Sequence, residues 1–96
     1  MKGKAKRYLR SLAVNIEPIF QIGKGVLNEN LLKQLDDALE ARELIKVRVL
    51  NNCEENAKEL APQIADSLGA VLVQTIGHNM VFYRKSLEKP KIELPE

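Results

Sequence analysis

The sequence predicts an α/β fold, an α+β two-layer sandwich in which helices pack on a four-stranded mixed sheet, with elements in the order α-β-α-β-α-β-β. Three observations carry this. The spacing of apolar residues alternates along the chain between a three-to-four-residue period and a two-residue period, the marks of helix and strand. Glycine, proline and asparagine fall where the period changes. With 96 residues and 45% hydrophobic content, the chain supplies one core, so a single domain over 1–96 is expected.

Each element follows from its own residues. Between Lys4 and Val14, the apolar positions Ala5, Tyr8, Leu9, Leu12 and Ala13 recur at helical spacing while Lys6, Arg7 and Arg10 fall off that stripe, which predicts a short amphipathic helix with a basic outer face. Pro18 stops it, and the β-formers of "IFQI" then make a short first strand. Asn28 is a suitable N-cap for a second helix running to about Arg42, with Leu31, Leu32, Leu35, Ala38 and Leu39 inward and Glu29, Asp36, Asp37 and Glu40 on a mainly acidic exposed face. In "ELIKVRVLN" the period becomes two: Ile45, Val47 and Val49 face one side, Lys46 and Arg48 a wet, cationic other.

A third helix is expected from near Glu55, on the spacing of Ala57, Leu60, Ala61, Ile64, Ala65 and Leu68, with Gly69 as its C-terminal cap and Pro62 bending it or offsetting its first turns. "AVLVQTI" and "MVFYR" then form an antiparallel pair around Gly77, His78 and Asn79. Two prolines and the absence of a period predict that 87–96 is extended or partly disordered, with Ile92 and Leu94 docked. Tyr8, Phe20 and Phe82 are expected in the core, and Tyr83 is more open. Right-handed crossovers that move in one direction place the second and third helices on one face of the sheet.

Composition narrows the function. No apolar run approaches the roughly 18 residues of a membrane span, and the basic start lacks the apolar stretch of a secretory signal, so the cytoplasm is the expected location. A single cysteine, Cys53, permits neither an internal disulfide nor a thiol-based zinc site. His78 is the only histidine and falls in a turn with no nucleophile nearby, and no two carboxylates are spaced as an acid/base pair, so no catalytic residue, metal site or cofactor is expected. Charge is unevenly distributed: 1–24 carry Lys2, Lys4, Lys6, Arg7, Arg10 and Lys24 against Glu17 alone, whereas 25–83 hold nine acidic side chains against five basic ones. A basic face of this kind concentrates polyanions.

The stretch "FQIGKGVLNEN" joins the first strand to the second helix. Glycines at such a corner let the backbone approach a ligand, the first helical amides point outward, and Lys24 adds a charge, a geometry suited to phosphate. The pattern is neither a nucleotide-hydrolysing phosphate loop nor a dinucleotide fingerprint, and a purely structural corner is the alternative.

Taken together, the basic first helix, "IGKGVL", "ALEARELIKVRVL", "LGAVLVQTIGHNMVFYR" and the closing "KIELP" resemble the YhbY-like proteins, the stand-alone bacterial form of the CRM domain of chloroplast RNA splicing and ribosome maturation. The resemblance implies a KH-like fold similar to the C-terminal domain of translation initiation factor three. It also implies RNA binding without catalysis or a small-molecule substrate, and association with precursors of the large ribosomal subunit. The family's Gly-x-x-Gly loop corresponds here to Gly23-Lys24-Gly25-Val26, so valine stands where the second glycine is expected. Together the two lines of reasoning predict an RNA site built from Lys2, Lys4, Lys6, Arg7 and Arg10 of the first helix, Gly23, Lys24 and Gly25 of the loop, and Arg84 and Lys85 after the last strand. With few aromatic residues to stack bases, backbone and shape recognition is expected. The alternative is a protein adaptor working through the acidic face at Asp36, Asp37 and Glu40.

Overall fold

The computed structural model describes residues 2–23, 28–50 and 56–95. Its elements follow the predicted order: α1 (Gly3–Ala13), β1 (Phe20–Ile22), α2 (Glu29–Arg42), β2 (Leu44–Val49), α3 (Ala57–Leu68), β3 (Val71–Ile76) and β4 (Asn79–Tyr83). Cys53 lies outside the described residues.

Local chemistry sets the boundaries. Asn28 caps α2 by accepting a hydrogen bond from the Leu31 amide at 2.8 Å. Helix α3 begins one to two residues later than expected, because Asn56 accepts from the Glu59 amide at 3.0 Å and donates its own side-chain amide to Glu59 Oε1 at 3.3 Å. This reciprocal pair is a variant of the capping box, in which Glu59 takes the Asn56 side-chain amide instead of its backbone N–H, and it is legible as Asn-x-x-Glu. The helix runs unbroken through Pro62, which lies on the exposed side, where water can reach the Lys58 carbonyl that proline leaves without an amide. Gly69 closes α3 at φ 62°, donating to the Ala65 and Asp66 carbonyls. The hairpin turn is one residue shorter than expected: Ile76 pairs with Asn79, leaving Gly77, at φ 56°, and His78 between the strands.

The sheet order is β1-β2-β4-β3, with β1 and β2 parallel and β4 antiparallel to both β2 and β3. Both crossovers progress the same way, so α2 and α3 share a face. There Leu35, Leu39, Leu60 and Ile64 pack on Ile22, Ile45, Val47, Val49, Met80 and Phe82. Each such side chain withdrawn from water contributes about 1.5–3 kcal/mol.

The α/β fold with a four-stranded mixed sheet is as predicted, and α1 adds a partial third layer on the opposite face. Its Leu9 and Ala13 pack on Leu44, Val73, Val81 and Tyr83. Tyr83 is therefore buried and Tyr8 is exposed, the reverse of the expectation. Tyr8 falls one residue off the inward stripe of Ala5, Leu9 and Ala13, while Tyr83 lies under α1.

Beyond β4 the chain is extended and held by two glutamates of the α2 end. Glu43, the C-cap of α2 at φ 66°, is fully buried, and its carboxylate accepts hydrogen bonds from the amides of Ser86, Lys91 and Ile92. Burial pushes this carboxyl up, but the three amides outweigh it and hold it below the ordinary carboxylate range. Glu40 accepts from the Leu87 and Glu88 amides and the Ser86 hydroxyl. The Leu87 amide above all, then the hydroxyl, holds Glu40 down at about 2. Ile92 and Leu94 pack, half-buried, against the α1 cluster, as expected.

Candidate nucleic-acid interface

Helix α1 turns Ala5, Leu9 and Ala13 to the sheet, which leaves Lys4, Arg7 and Arg10 exposed and Lys6 half-buried. Lys2 precedes it as an exposed N-cap without a side-chain capping bond. Cations in the first turn oppose the helix dipole by about 0.3–1 kcal/mol each, and α1 has no acidic residue there to compensate. None of these five cations takes part in an ion pair among the described residues. Arg10, in the last turn, is favourably placed with respect to the same dipole.

None of the strands contains an acidic residue, and the acidic side chains of the described helices lie on α2 and α3, across the sheet from α1. Lys46 and Arg48 alternate with the core residues of β2 and so lie on the α1 face. The sequence showed this wet face but not which layer it faces. Gly23 directly follows β1 and is half-buried; beside it the Leu50 amide donates to the Ile22 carbonyl at 2.8 Å, tying together the exits of β1 and β2. Lys24, Gly25 and Val26, the centre of the expected loop site, lie outside the described residues.

Arg84 is placed differently from the expected cation patch. Its side chain is 17% exposed, and its guanidinium donates to Asp36 Oδ1 at 3.2 Å and to Glu40 Oε1 at 3.4 Å, with a further bond to the Asp36 carbonyl. Strand alternation explains this: Tyr83 points to the α1 face, so Arg84 points to α2. Lys85 is exposed. The same contacts draw on the acidic face of α2, since Asp36 and Glu40 hold Arg84 and the segment after β4, while Asp37 stays exposed.

His78 is exposed in the hairpin turn, and its carbonyl accepts from the Val49 amide at 2.7 Å. Among the described residues, no group of three His, Cys, Asp or Glu side chains is placed to hold a metal ion. No described helix is long and apolar enough to cross a membrane.

Residues 1–84 match the model of the CRS1 / YhbY (CRM) domain. The chain is 53% identical over 95 residues to "Probable RNA-binding protein YqeI" of Bacillus subtilis, with 99% of each chain covered. It is 39% identical over 92 residues to "RNA-binding protein" of Haemophilus influenzae, covering 96% of this chain and 92% of that one. The solution structure of SAV1595 from Staphylococcus aureus superposes with a TM-score of 0.82 at 59% identity, with 99% of each chain covered. The unpaired basic helix, the glycine corner after β1 and the strand order thus accompany a match over most of the chain, which belongs to the CRS1/YhbY (CRM) domain family.

Proposed function

We propose that this is a non-enzymatic, cytoplasmic RNA-binding protein that associates with precursors of the large ribosomal subunit and aids their assembly. In this reading, α1 and the corner at Gly23, Lys24 and Gly25 hold RNA phosphates. The observation that carries the proposal is the imbalance of charge across the sheet: α1 and the outer face of β2 carry cations and no acid, with Glu17 alone following α1, whereas α2 and α3 carry more acids than the bases Lys33, Arg42 and Lys58. Such a face attracts a polyanion and gains entropy from the counterions that the polyanion releases. The names of the relatives support RNA as that polyanion, and the resemblance to YhbY-like proteins supports the ribosomal precursor. Lys2, Lys4, Lys6, Arg7, Arg10 and Lys24 form the proposed grip, with Lys85 at its margin; Arg84 serves the fold.

Among the aromatic residues Phe82 and Tyr83 are buried, Phe20 is half-buried and Tyr8 is 39% exposed, so base stacking on aromatics is a minor resource and phosphate contacts dominate. The test is the salt dependence of binding to large-subunit ribosomal RNA. Replacing Lys4, Arg7 and Arg10 together by glutamate lowers the slope of log K against log salt by roughly 0.7–0.9 for each phosphate that the helix no longer neutralises. An unchanged slope removes α1 from the site. Sedimentation with large-subunit precursors that survives complete RNA digestion points instead to a protein partner.

A further inference from the structure

We infer that the part of the sheet face left uncovered by α1 is a second RNA surface, one that takes an unpaired stretch of nucleotides around Arg48. The inference rests on the RNA-binding reading above and extends it from phosphates to bases. In the strand register, Gln21 is opposite Arg48, Arg48 opposite Asn79, and Asn79 opposite Ile76, so these residues form one row across all four strands. Their neighbours Ile22, Val49 and Met80 point into the α2–α3 core, which puts the row on the α1 face.

Helix α1 stops short of it. Its contacts reach Val81 and Val73, one row away, whereas Gln21 and Arg48 are exposed and Ile76 is 62% exposed. A single open aliphatic side chain is ordinary on a protein surface, and Val14 and Leu87 are more exposed still; Ile76 matters here only because it extends the row that holds Arg48.

The chemistry of the row differs from that of α1. Gln21 and Asn79 carry amides, which both donate and accept and so match the edges of bases. Arg48 offers a planar guanidinium that stacks on a base or clamps a phosphate, and Ile76 offers apolar surface to a base face. Asn79 is half-buried and its Oδ1 is shielded from solvent without a partner among the described residues, so the exposed Gln21 supplies the accessible amide of the row. Lys46, half-buried one row back, and Arg48 have no ion pair among the described residues, and no acidic side chain lies on any strand to repel RNA.

Geometry selects the unpaired form. A helix is about 10 Å across, so a duplex resting on the outer face of α1 keeps its phosphates well above the sheet floor. A single strand with splayed bases descends to it. Three inter-strand spacings of about 4.8 Å make the row about 14 Å wide, room for about two bases. The row also adjoins the proposed phosphate grip, because β1 exits into Gly23 at this end of the sheet, and the Val49 amide bonds the His78 carbonyl there.

The experiment compares Arg48→Glu, Gln21→Ala and the Lys4, Arg7, Arg10 triple glutamate variant with the unaltered protein. The probes are a blunt RNA duplex and the same duplex carrying an unpaired extension. The expected result is that Arg48→Glu lowers affinity for the extended RNA about tenfold or more and leaves the blunt duplex within about twofold, with Gln21→Ala smaller in the same direction. The triple variant lowers both. If Arg48→Glu binds both RNAs as the unaltered protein does while the triple variant loses both, the sheet surface is refuted and the RNA-binding reading stands. Equal losses on the two RNAs refute selectivity for unpaired nucleotides. If the unaltered protein binds neither RNA, both readings fail.

Discussion

Glu43 offers the sharpest test of how this fold is held, because two opposing effects meet at one residue. Its backbone sits at φ 66°, a left-handed conformation that costs a non-glycine residue about 1 kcal/mol or more, while its buried carboxylate takes three backbone amides from the segment after β4. Hydrogen bonds to an ionised group contribute about 1.5–3 kcal/mol each, and a buried amide left without a partner costs about 1–3 kcal/mol. Glycine at this position removes the backbone strain and all three bonds. The Lys91 and Ile92 bonds are only part-buried, so water can take up those amides in the variant and the loss falls well below the sum of three such bonds; the balance predicts that Glu43→Gly is destabilised by about 2–4 kcal/mol even after strain relief. Glu43→Gln keeps the shape but turns an NH2 group toward an amide donor, and it is expected to lose about 2–3 kcal/mol. For a domain of this size such losses lower Tm on the order of 10–20 °C. Thermal unfolding followed by circular dichroism reads this directly, and amide exchange shows whether Ser86, Lys91 and Ile92 lose protection together. A Glu43→Gly variant as stable as the parent would refute the reasoning, for the carboxylate would then contribute less than its own backbone strain costs.

Two further outcomes follow from the same packing. Glu40 is held at about 2, so its contribution is fully present above the ordinary carboxylate pKa of about 4.3–4.5 and is lost as pH falls from there through about 2; Glu43, lowered in the same direction, adds to this loss. Acid unfolding of Glu40→Gln should therefore show a shallower pH dependence in that window than the parent, and parallel profiles would show that the carboxylate does not hold the segment 86–88. Leu9 is completely buried between α1 and the sheet, so Leu9→Ala should cost about 2–5 kcal/mol in chemical denaturation; a loss under about 1 kcal/mol would mean that α1 is only loosely docked.

Periodicity made most of the architecture readable. The stripe of Leu31, Leu35 and Leu39, the Asn28 cap and the Gly69 terminus follow from rules that act within a few residues, and they coincide with the observed helix ends. What the sequence did not reveal depends on which layer covers which face. The alternation in β2 shows that Lys46 and Arg48 share a side, but only the packing of α1 shows that this is also the side of the first helix. Arg84 reads as one more cation beside Lys85, and only the sheet places it against Asp36 and Glu40. The role of Glu43 had no local signal, since a glutamate after a helix gives no hint that chain more than forty residues later will close over it. Asn56 and Glu59 were legible as a variant of the capping box and would have located the start of α3.

The strand order has a consequence for how the molecule is made. β4, the final strand to leave the ribosome, takes an interior position between β2 and β3 and brings Met80 and Phe82 to the middle of the core. Until it emerges, β2 presents an open hydrogen-bonding edge, and β3 lacks its neighbour in the sheet. Earlier segments can form helices as they appear, but the tertiary structure must wait for β4 to arrive, and a nascent chain stalled before Asn79 would expose a sticky, incomplete sheet to the cell.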